Sequence, residues 1–467
     1  MPPLRIIKRT NVRIKRYMPA AQSARRLPQN PHFSYNNHME KTSAVNPKET
    51  TRSQKTEQSG ISAPFLDVTI LCKVVDNFGD IGVVFRLSRA LSDFPNISLR
   101  IITDNLRAFS LLSPGINPGA DEQFFNGWQI FNWNASDACL SAFTKNPPHL
   151  IIECFQCGRP EWLDHLLFNI KIPNITRIIM LDYLTAETYA ETFHCLKSLT
   201  RSARVQKVNF MPGFTPKTGG LILDRQFLKS LQPDKGGACP SLPSNPLRSF
   251  ACPLPPLLGD TPKTPQEPSF NILFFSYPQN QTPVINAIQT FSKNAGCPVK
   301  VLLAQGAGFD SFKSAYKSAQ EKNSPSGKTS FSLFELPFLS QTDWDSLMCR
   351  TPLLFIRGED SLSRACLCGV PFIWNAYPQS DNYQLVKVQA LLDRMRPHFP
   401  PELFKKTEAC WLTYNGDSGN LESAVTNFLL SYAELRPCFE DFSRSLLQNG
   451  DLAGNLIEFM IKISFQP

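Results

Sequence analysis

The segment Asp76-Asn-Phe-Gly-Asp-Ile-Gly82 follows directly on the apolar run Leu66–Val75. Two carboxylates and two glycines at a strand end suit general acid–base chemistry. Such loops open onto the ligand crevice of an α/β protein, and glycine lets the backbone approach a ligand closely. Asp76 and Asp80 are the candidate acid–base groups, with Asn77, Phe78, Gly79 and Gly82 shaping the loop. A loop aspartate just ahead of a helix also makes a good cap, so Asp80 keeps a structural alternative.

A second candidate is Arg357-Gly-Glu-Asp-Ser361, set between an apolar strand and a helix. The unpaired amides of a first helical turn and the helix dipole attract an anion, and a diphosphate is the natural guest. Asp360 or Ser361 equally well caps the helix, and the two uses share the same end. The carboxylates of Glu359 and Asp360 repel phosphate, so their amides are expected to face it while the carboxylates turn elsewhere. Aromatic residues at strand ends, Phe275 and Tyr277, together with Trp344 beside Gln341, offer faces on which a base stacks. Core packing is the default for any one of them in a chain with 35 phenylalanines. The stretch Pro212–Gly220 lacks P-loop spacing, and Gly306-Ala-Gly308 lacks the third glycine of a dinucleotide fingerprint. For Pro212–Gly220 the remaining reading is a rigid loop facing the cleft.

Alternating strand-like and helix-like stretches must position these residues. Leu66–Val75, Ser98–Thr103, His149–Cys154 and Thr176–Leu181 read as strands, with Val83–Leu91 and Pro160–Leu167 as helices between some of them. A second series runs from the strand Ser269–Ser276 to the strand Pro371–Trp374, with Gly369 closing the helix Ser361–Cys368. The end of the chain, Leu421–Leu435 and Phe439–Ile463, reads as helix. This alternation predicts an α/β fold with parallel sheets. Residues 233–268 interrupt it with ten prolines and read as a linker or surface insertion.

The chain has 467 residues and a formal charge of +9, and residues 1–60 alone carry twelve Lys/Arg against three acidic residues. The rest is close to neutral, so a basic body that grips nucleic acid is not indicated. The basic segment lacks hydrophobic periodicity and reads as a disordered tail. No apolar run approaches the roughly 18 residues of a membrane span. Thirteen scattered cysteines, with close pairs only at Cys154/Cys157 and Cys366/Cys368, read as thiols in a reducing compartment rather than as a zinc or redox site.

Taken in order, the motifs resemble the bacterial protein-arginine rhamnosyltransferases that modify translation elongation factor P. The residues behind this are Cys72–Gly82, Leu181-Asp-Tyr-Leu-Thr-Ala-Glu187, Pro212–Gly220, Leu336-Pro-Phe-Leu-Ser-Gln341, Phe355–Ser361, Pro371–Trp374 and Tyr377-Pro-Gln379, across about residues 66–465. The basic tail falls outside it, 233–268 is longer than the family's usual connection, and Trp344 stands where Phe or Tyr is expected. The resemblance implies a GT-B glycosyltransferase, two Rossmann-like domains facing a central cleft. It implies transfer of rhamnose from dTDP-β-L-rhamnose to an arginine of elongation factor P, with inversion, in the cytoplasm, without a metal or cofactor. Phe275, Tyr277, Gln341 and Trp344 match its nucleoside positions, and Glu359, Asp360 and Ser361 its diphosphate loop. Asp80 matches its general base, with Asp76 beside it; on physical grounds Asp76 and Glu359 are the catalytic carboxylates expected to hold the guanidinium. Arg357 supports the loop.

The expected organisation is a tail over 1–60, an acceptor domain over 61–232, the Pro-rich segment 233–268 and a nucleotide-sugar domain over 269–435. A helical segment over 436–467 is expected to pack back on the N-terminal domain. Two other readings stay open: a GT-B sugar-nucleotide epimerase without a protein acceptor, and, more remotely, a basic-tailed protein that binds ribosomes or RNA.

Overall fold

The computed structural model describes residues 65–74, 79–170, 174–231, 250, 268–322, 330–416 and 418–464. Asp76, Asn77 and Phe78, the tail 1–60 and nearly all of 233–268 lie outside the described residues.

The N-terminal half opens with β1 (Leu66–Cys72), α1 (Gly79–Ser92), β2 (Ile97–Thr103) and α2 (Leu106–Leu112). A hairpin, β3 (Glu122–Phe125) and β4 (Trp128–Asn132), precedes α3 (Ser136–Lys145), β5 (Leu150–Cys154) and α4 (Glu161–Phe168). Then come β6 (Thr176–Leu181), α5 (Tyr189–Phe193), β7 (Lys197–Ser198), β8 (Val205–Phe210) and α6 (Arg225–Ser230). The second half runs β9 (Phe270–Phe274), α7 (Thr282–Ala295), β10 (Val299–Leu303), α8 (Phe309–Lys322) and β11 (Ser332–Glu335). It continues with α9 (Gln341–Arg350), β12 (Leu353–Arg357), α10 (Glu359–Cys368) and β13 (Phe372–Asn375). The helices α11 (Tyr383–Met395), α12 (Pro401–Tyr414), α13 (Leu421–Leu430), α14 (Tyr432–Leu447) and α15 (Leu452–Ser464) follow.

The first sheet has the order β3-β4-β2-β1-β5-β6-β8-β7, and the second β11-β10-β9-β12-β13. The second sheet is parallel throughout, whereas the first has antiparallel pairs only at its two edges, β3–β4 and β7–β8. Strands such as β5 and β9 are buried at every position, because a parallel sheet is covered on both faces. This is the expected GT-B class of two doubly wound sheets. In each, the strand order reverses beside the first strand, which opens a crevice at the carboxyl ends of β1 and β5, and of β9 and β12. The segments after β1 and β12 are therefore where a ligand belongs. Among the described residues, no helix is long and apolar enough to cross a membrane.

Three local differences from the sequence reading matter. Helix α1 begins at Gly79 rather than Val83, so Asp80 and Gly82 lie in its first turns and not in a loop. The stretch expected as one helix over Phe439–Ile463 is two, because Gly450 takes φ +82 between α14 and α15. Helix α14 crosses the expected boundary at 435/436 and packs Phe439 and Phe442 into the core of the second sheet. Helix α15 instead places Leu456 and Met460 in the core of the first. The segment Pro212–Gly220 is pinned against the start of α15, where Asn449 donates to the Phe214 carbonyl and Asn455 to that of Gly219, both at 3.0 Å.

Candidate active site

Asp80 sits in the first turn of α1, where the helix dipole favours a carboxylate, and it is only 3% exposed. The Tyr183 hydroxyl donates to its Oδ1 at 3.2 Å. Tyr183 follows β6, and its ring stacks on Phe155 with centroids 4.5 Å apart and planes 19° from parallel. Phe155 and Gln156, just after β5, both take positive φ, 57° and 53°. Two consecutive non-glycine residues in the left-handed region are uncommon and mark a constrained turn. That turn brings Phe155 under Tyr183 and lets Gln156 donate to Asp182 at 3.0 Å. Burial, with the charges of Asp80 and Glu359, pushes the Tyr183 phenol up, so it stays a donor. Burial and Asp80 likewise hold Cys72 as a thiol.

Glu359 approaches from the other sheet. Gly358 takes φ +72 and turns the chain from β12 into α10, which Glu359 opens. It lines a cleft of about 580 Å³ together with Asp182, Tyr183, Tyr189, Phe193 and Lys387. Burial pushes the Glu359 carboxyl up to about 8, and the charges of Asp80 and Asp182 act in the same direction. Lys387 and a hydrogen bond from the Leu184 amide pull it the other way. Carboxylates beside aromatic faces make a receptor for a planar cation such as guanidinium.

On the far side of Gly358, Arg357 lies 4.5 Å from the Phe275 ring centroid and 4.6 Å from that of Tyr277. Trp344 meets Phe275 edge-on at 5.1 Å, so three of the four sequence-predicted nucleoside residues form one cluster around Arg357. The fourth, Gln341, opens α9 and donates to the Gly82 carbonyl on α1 at 2.8 Å. Arg357 Nε and Gln341 Oε1 are buried and have no protein partner among the described residues, a condition that a polar ligand relieves. Ser361 is buried in the first turn of α10, and Asp360 turns its carboxylate away from that helix end onto Arg86, at 2.8 and 3.0 Å. Among the described residues no group of three His, Cys, Asp or Glu side chains could hold a metal.

Asp80 and Glu359 thus converge from the two sheets, and the aromatic cluster joins them through Arg357–Glu359. Sequence reasoning assigned no role to Arg86, Tyr183, Asp182 or Lys387. Asp182 and Tyr183 stood in a quoted motif, and Arg86 was visible as a lone charge within Val83-Val-Phe-Arg-Leu87.

Known proteins resemble this chain along most of its length. The protein-arginine rhamnosyltransferase of Shewanella oneidensis is 31% identical over 84% of this chain and 97% of its own. That of Pseudomonas aeruginosa is 28% identical over the same shares, 84% and 97%. A solved structure bearing on EarP-mediated arginine glycosylation of translation elongation factor EF-P aligns with 84% of this chain and 98% of its own, at 21% identity and a TM-score of 0.49. The family described as "Elongation-Factor P (EF-P) rhamnosyltransferase EarP" matches residues 68–461, and the chain belongs to that family of glycosyltransferases.

Proposed function

We propose that this enzyme transfers L-rhamnose from dTDP-β-L-rhamnose to one arginine of elongation factor P, with inversion at the anomeric carbon. The observation that carries this reading is the meeting of Asp80 and Glu359. They come from facing sheets, yet the charge of Asp80 acts on the Glu359 carboxyl, and Tyr183, which donates to Asp80, lines the same cleft as Glu359. The nucleoside stacks among Phe275, Tyr277 and Trp344 with Gln341 beside it, and the diphosphate takes the free amides of Glu359, Asp360 and Ser361. A translation factor as acceptor places the reaction in the cytoplasm.

Arginine has a pKa above roughly 12, so a neutral guanidine near pH 7 costs on the order of 7 kcal/mol. A carboxylate cannot supply that before the reaction. Asp80 therefore accepts the proton as the nitrogen attacks the anomeric carbon and the bond to dTDP breaks, its electron pair leaving with the diphosphate. Glu359 and Asp76 hold the remaining guanidinium hydrogens and keep charge away from the attacking nitrogen. The amides at the start of α10 stabilise the leaving diphosphate, so the reaction so drawn uses no metal or cofactor.

The test is incubation with dTDP-β-L-rhamnose and unmodified elongation factor P, followed by intact-protein mass spectrometry. One deoxyhexose is expected on arginine, and none with Asp80→Asn although the donor still binds. Near-normal turnover by Asp80→Asn would overturn the base assignment. An altered sugar nucleotide formed without acceptor would replace the transferase reading by an epimerase.

A further inference from the structure

The side chain of Arg86 is wholly buried on α1, six residues beyond Asp80. Its guanidinium donates to Asp360 at 2.8 and 3.0 Å and to Asp345 at 2.5 and 3.1 Å, and it lies 3.5 Å from Asp224. Asp360 is the residue after Glu359 in the first turn of α10, and Asp345 the residue after Trp344 on α9. One cation therefore grips both helices of the second sheet that carry the donor residues. A second contact, from Gln341 to the Gly82 carbonyl, joins α9 to the same stretch of α1.

A buried ion group of this kind is a poor device for stability alone. Desolvating the charges costs several kcal/mol, and apolar packing of the same volume often does as well. What a guanidinium adds is geometry, since its planar fork matches two carboxylates at once and fixes their mutual direction. We propose that Arg86 is a positioning residue. By holding Asp360 and Asp345 on one guanidinium, it couples the donor-binding turn of α10 to the placement of Asp80 at the start of α1. The inference rests on the roles of Asp80 and α10 given above.

Two consequences follow from the charges. A diphosphate at the α10 amides adds negative charge beside Asp360, and Arg86 neutralises that carboxylate. Burial opposes ionisation of Asp360, but the Arg86 charge outweighs it and holds the carboxyl below its ordinary range. Without the two bonds of the Arg86 fork, Asp360 loses its fixed direction away from the donor, and its charge is offset less closely, by Arg364 and Arg89. Asp80 also loses its fixed relation to the sugar, and small misplacements of a catalytic group are costly.

The test uses the full chain carrying Arg86→Lys or Asp345→Asn, with steady-state kinetics and hydrogen exchange with and without dTDP. Lysine keeps the charge but cannot fork onto two carboxylates. For Arg86→Lys, kcat is expected to fall about tenfold or more and the donor KM to rise several-fold. For Asp345→Asn, which leaves Asp360 paired but loosens α9 beside Trp344, kcat falls and the donor KM rises by less than in Arg86→Lys. In the unsubstituted chain dTDP slows exchange in the first turn of α10 and also over 79–86, whereas in Arg86→Lys only the α10 protection remains.

A merely structural role predicts fewer active molecules, with unchanged KM and an unchanged exchange pattern in the folded fraction, and that result would overturn the proposal. Retention of the 79–86 protection in Arg86→Lys would overturn it too. The exchange readout needs no sugar transfer, so failure of the proposed acceptor does not remove it. If dTDP slowed exchange nowhere in the unsubstituted chain, both the donor reading and the coupling would fall.

Discussion

The Tyr183 hydroxyl reaches Asp80 at 3.2 Å while the Tyr183 ring lies almost flat on Phe155. The orientation of Asp80 is thus set from the neighbouring strand ends, through a ring held by a left-handed turn. A hydrogen bond to a charged group contributes about 1.5–3 kcal/mol. If that bond aims the Asp80 carboxylate, Tyr183→Phe keeps the stack and the fold but lowers kcat by roughly tenfold or more, with donor KM unchanged. Steady-state kinetics at saturating acceptor check this, and an unaltered kcat would remove Tyr183 from the machinery.

Glu359 carries a pH dependence whose sign follows from its surroundings. Burial raises its carboxyl to about 8, so below that pH the empty cleft holds it protonated. A docking guanidinium favours the ionised form and must displace that proton. Acceptor KM is therefore expected to fall as pH rises from about 6 and to level off above about 8, a slope that Glu359→Gln abolishes.

The same shift acts on stability in the opposite sense. The folded state holds the proton more tightly than the unfolded state, so the penalty for ionising Glu359 is absent below its ordinary 4.5 and complete above about 8. The melting temperature of Glu359→Gln relative to the unsubstituted chain should rise across that window. A difference that does not change with pH would contradict the burial argument.

Gly306 supplies a selective probe of the donor side. A Cβ built there stands 2.8 Å from the Phe275 ring and 3.1 Å from Arg357 Nη2, on a backbone with φ +151. Gly306→Ala must displace the ring that Arg357 and Trp344 hold. The expected outcome is a donor KM raised about tenfold with acceptor KM unchanged. Calorimetric titration with dTDP measures the same loss without turnover.

Much of this architecture was legible because buried parallel strands are short apolar runs, and because Arg357-Gly-Glu359 writes a strand end, a turn and a helix start in consecutive residues. Gly369 was readable as the stop of α10 and takes φ +67 there. The Asn126-Gly127 dipeptide was an equally direct hairpin signal, joining β3 to β4 with both residues at positive φ, and it went unread. Other features depend on partners distant in the chain. Local propensity makes Gly79 and Gly82 look like loop residues, yet the helix begins at Gly79. Tyr183 gains its meaning from Asp80, 103 residues away, and Arg86 from Asp345 and Asp360, 259 and 274 residues away. No local pattern encodes those meetings.

Gly82 shows how that distinction is measured. Its place inside α1 means that alanine should stabilise the helix by up to about 1 kcal/mol. A Cβ there, however, comes 3.3 Å from Gln341 Nε2, the group that donates to the Gly82 carbonyl at 2.8 Å. The amide must give way by a few tenths of an ångström, and its hydrogen bond across the cleft lengthens. The two effects separate by readout, since helix propensity acts on folding and the Gln341 contact acts on the donor side. Gly82→Ala is expected to leave the thermal unfolding free energy within about 1 kcal/mol of the unsubstituted chain while weakening dTDP binding several-fold. A variant of equal or higher stability that binds dTDP as tightly as before would show that glycine at 82 is not required by the close approach of α9 to α1.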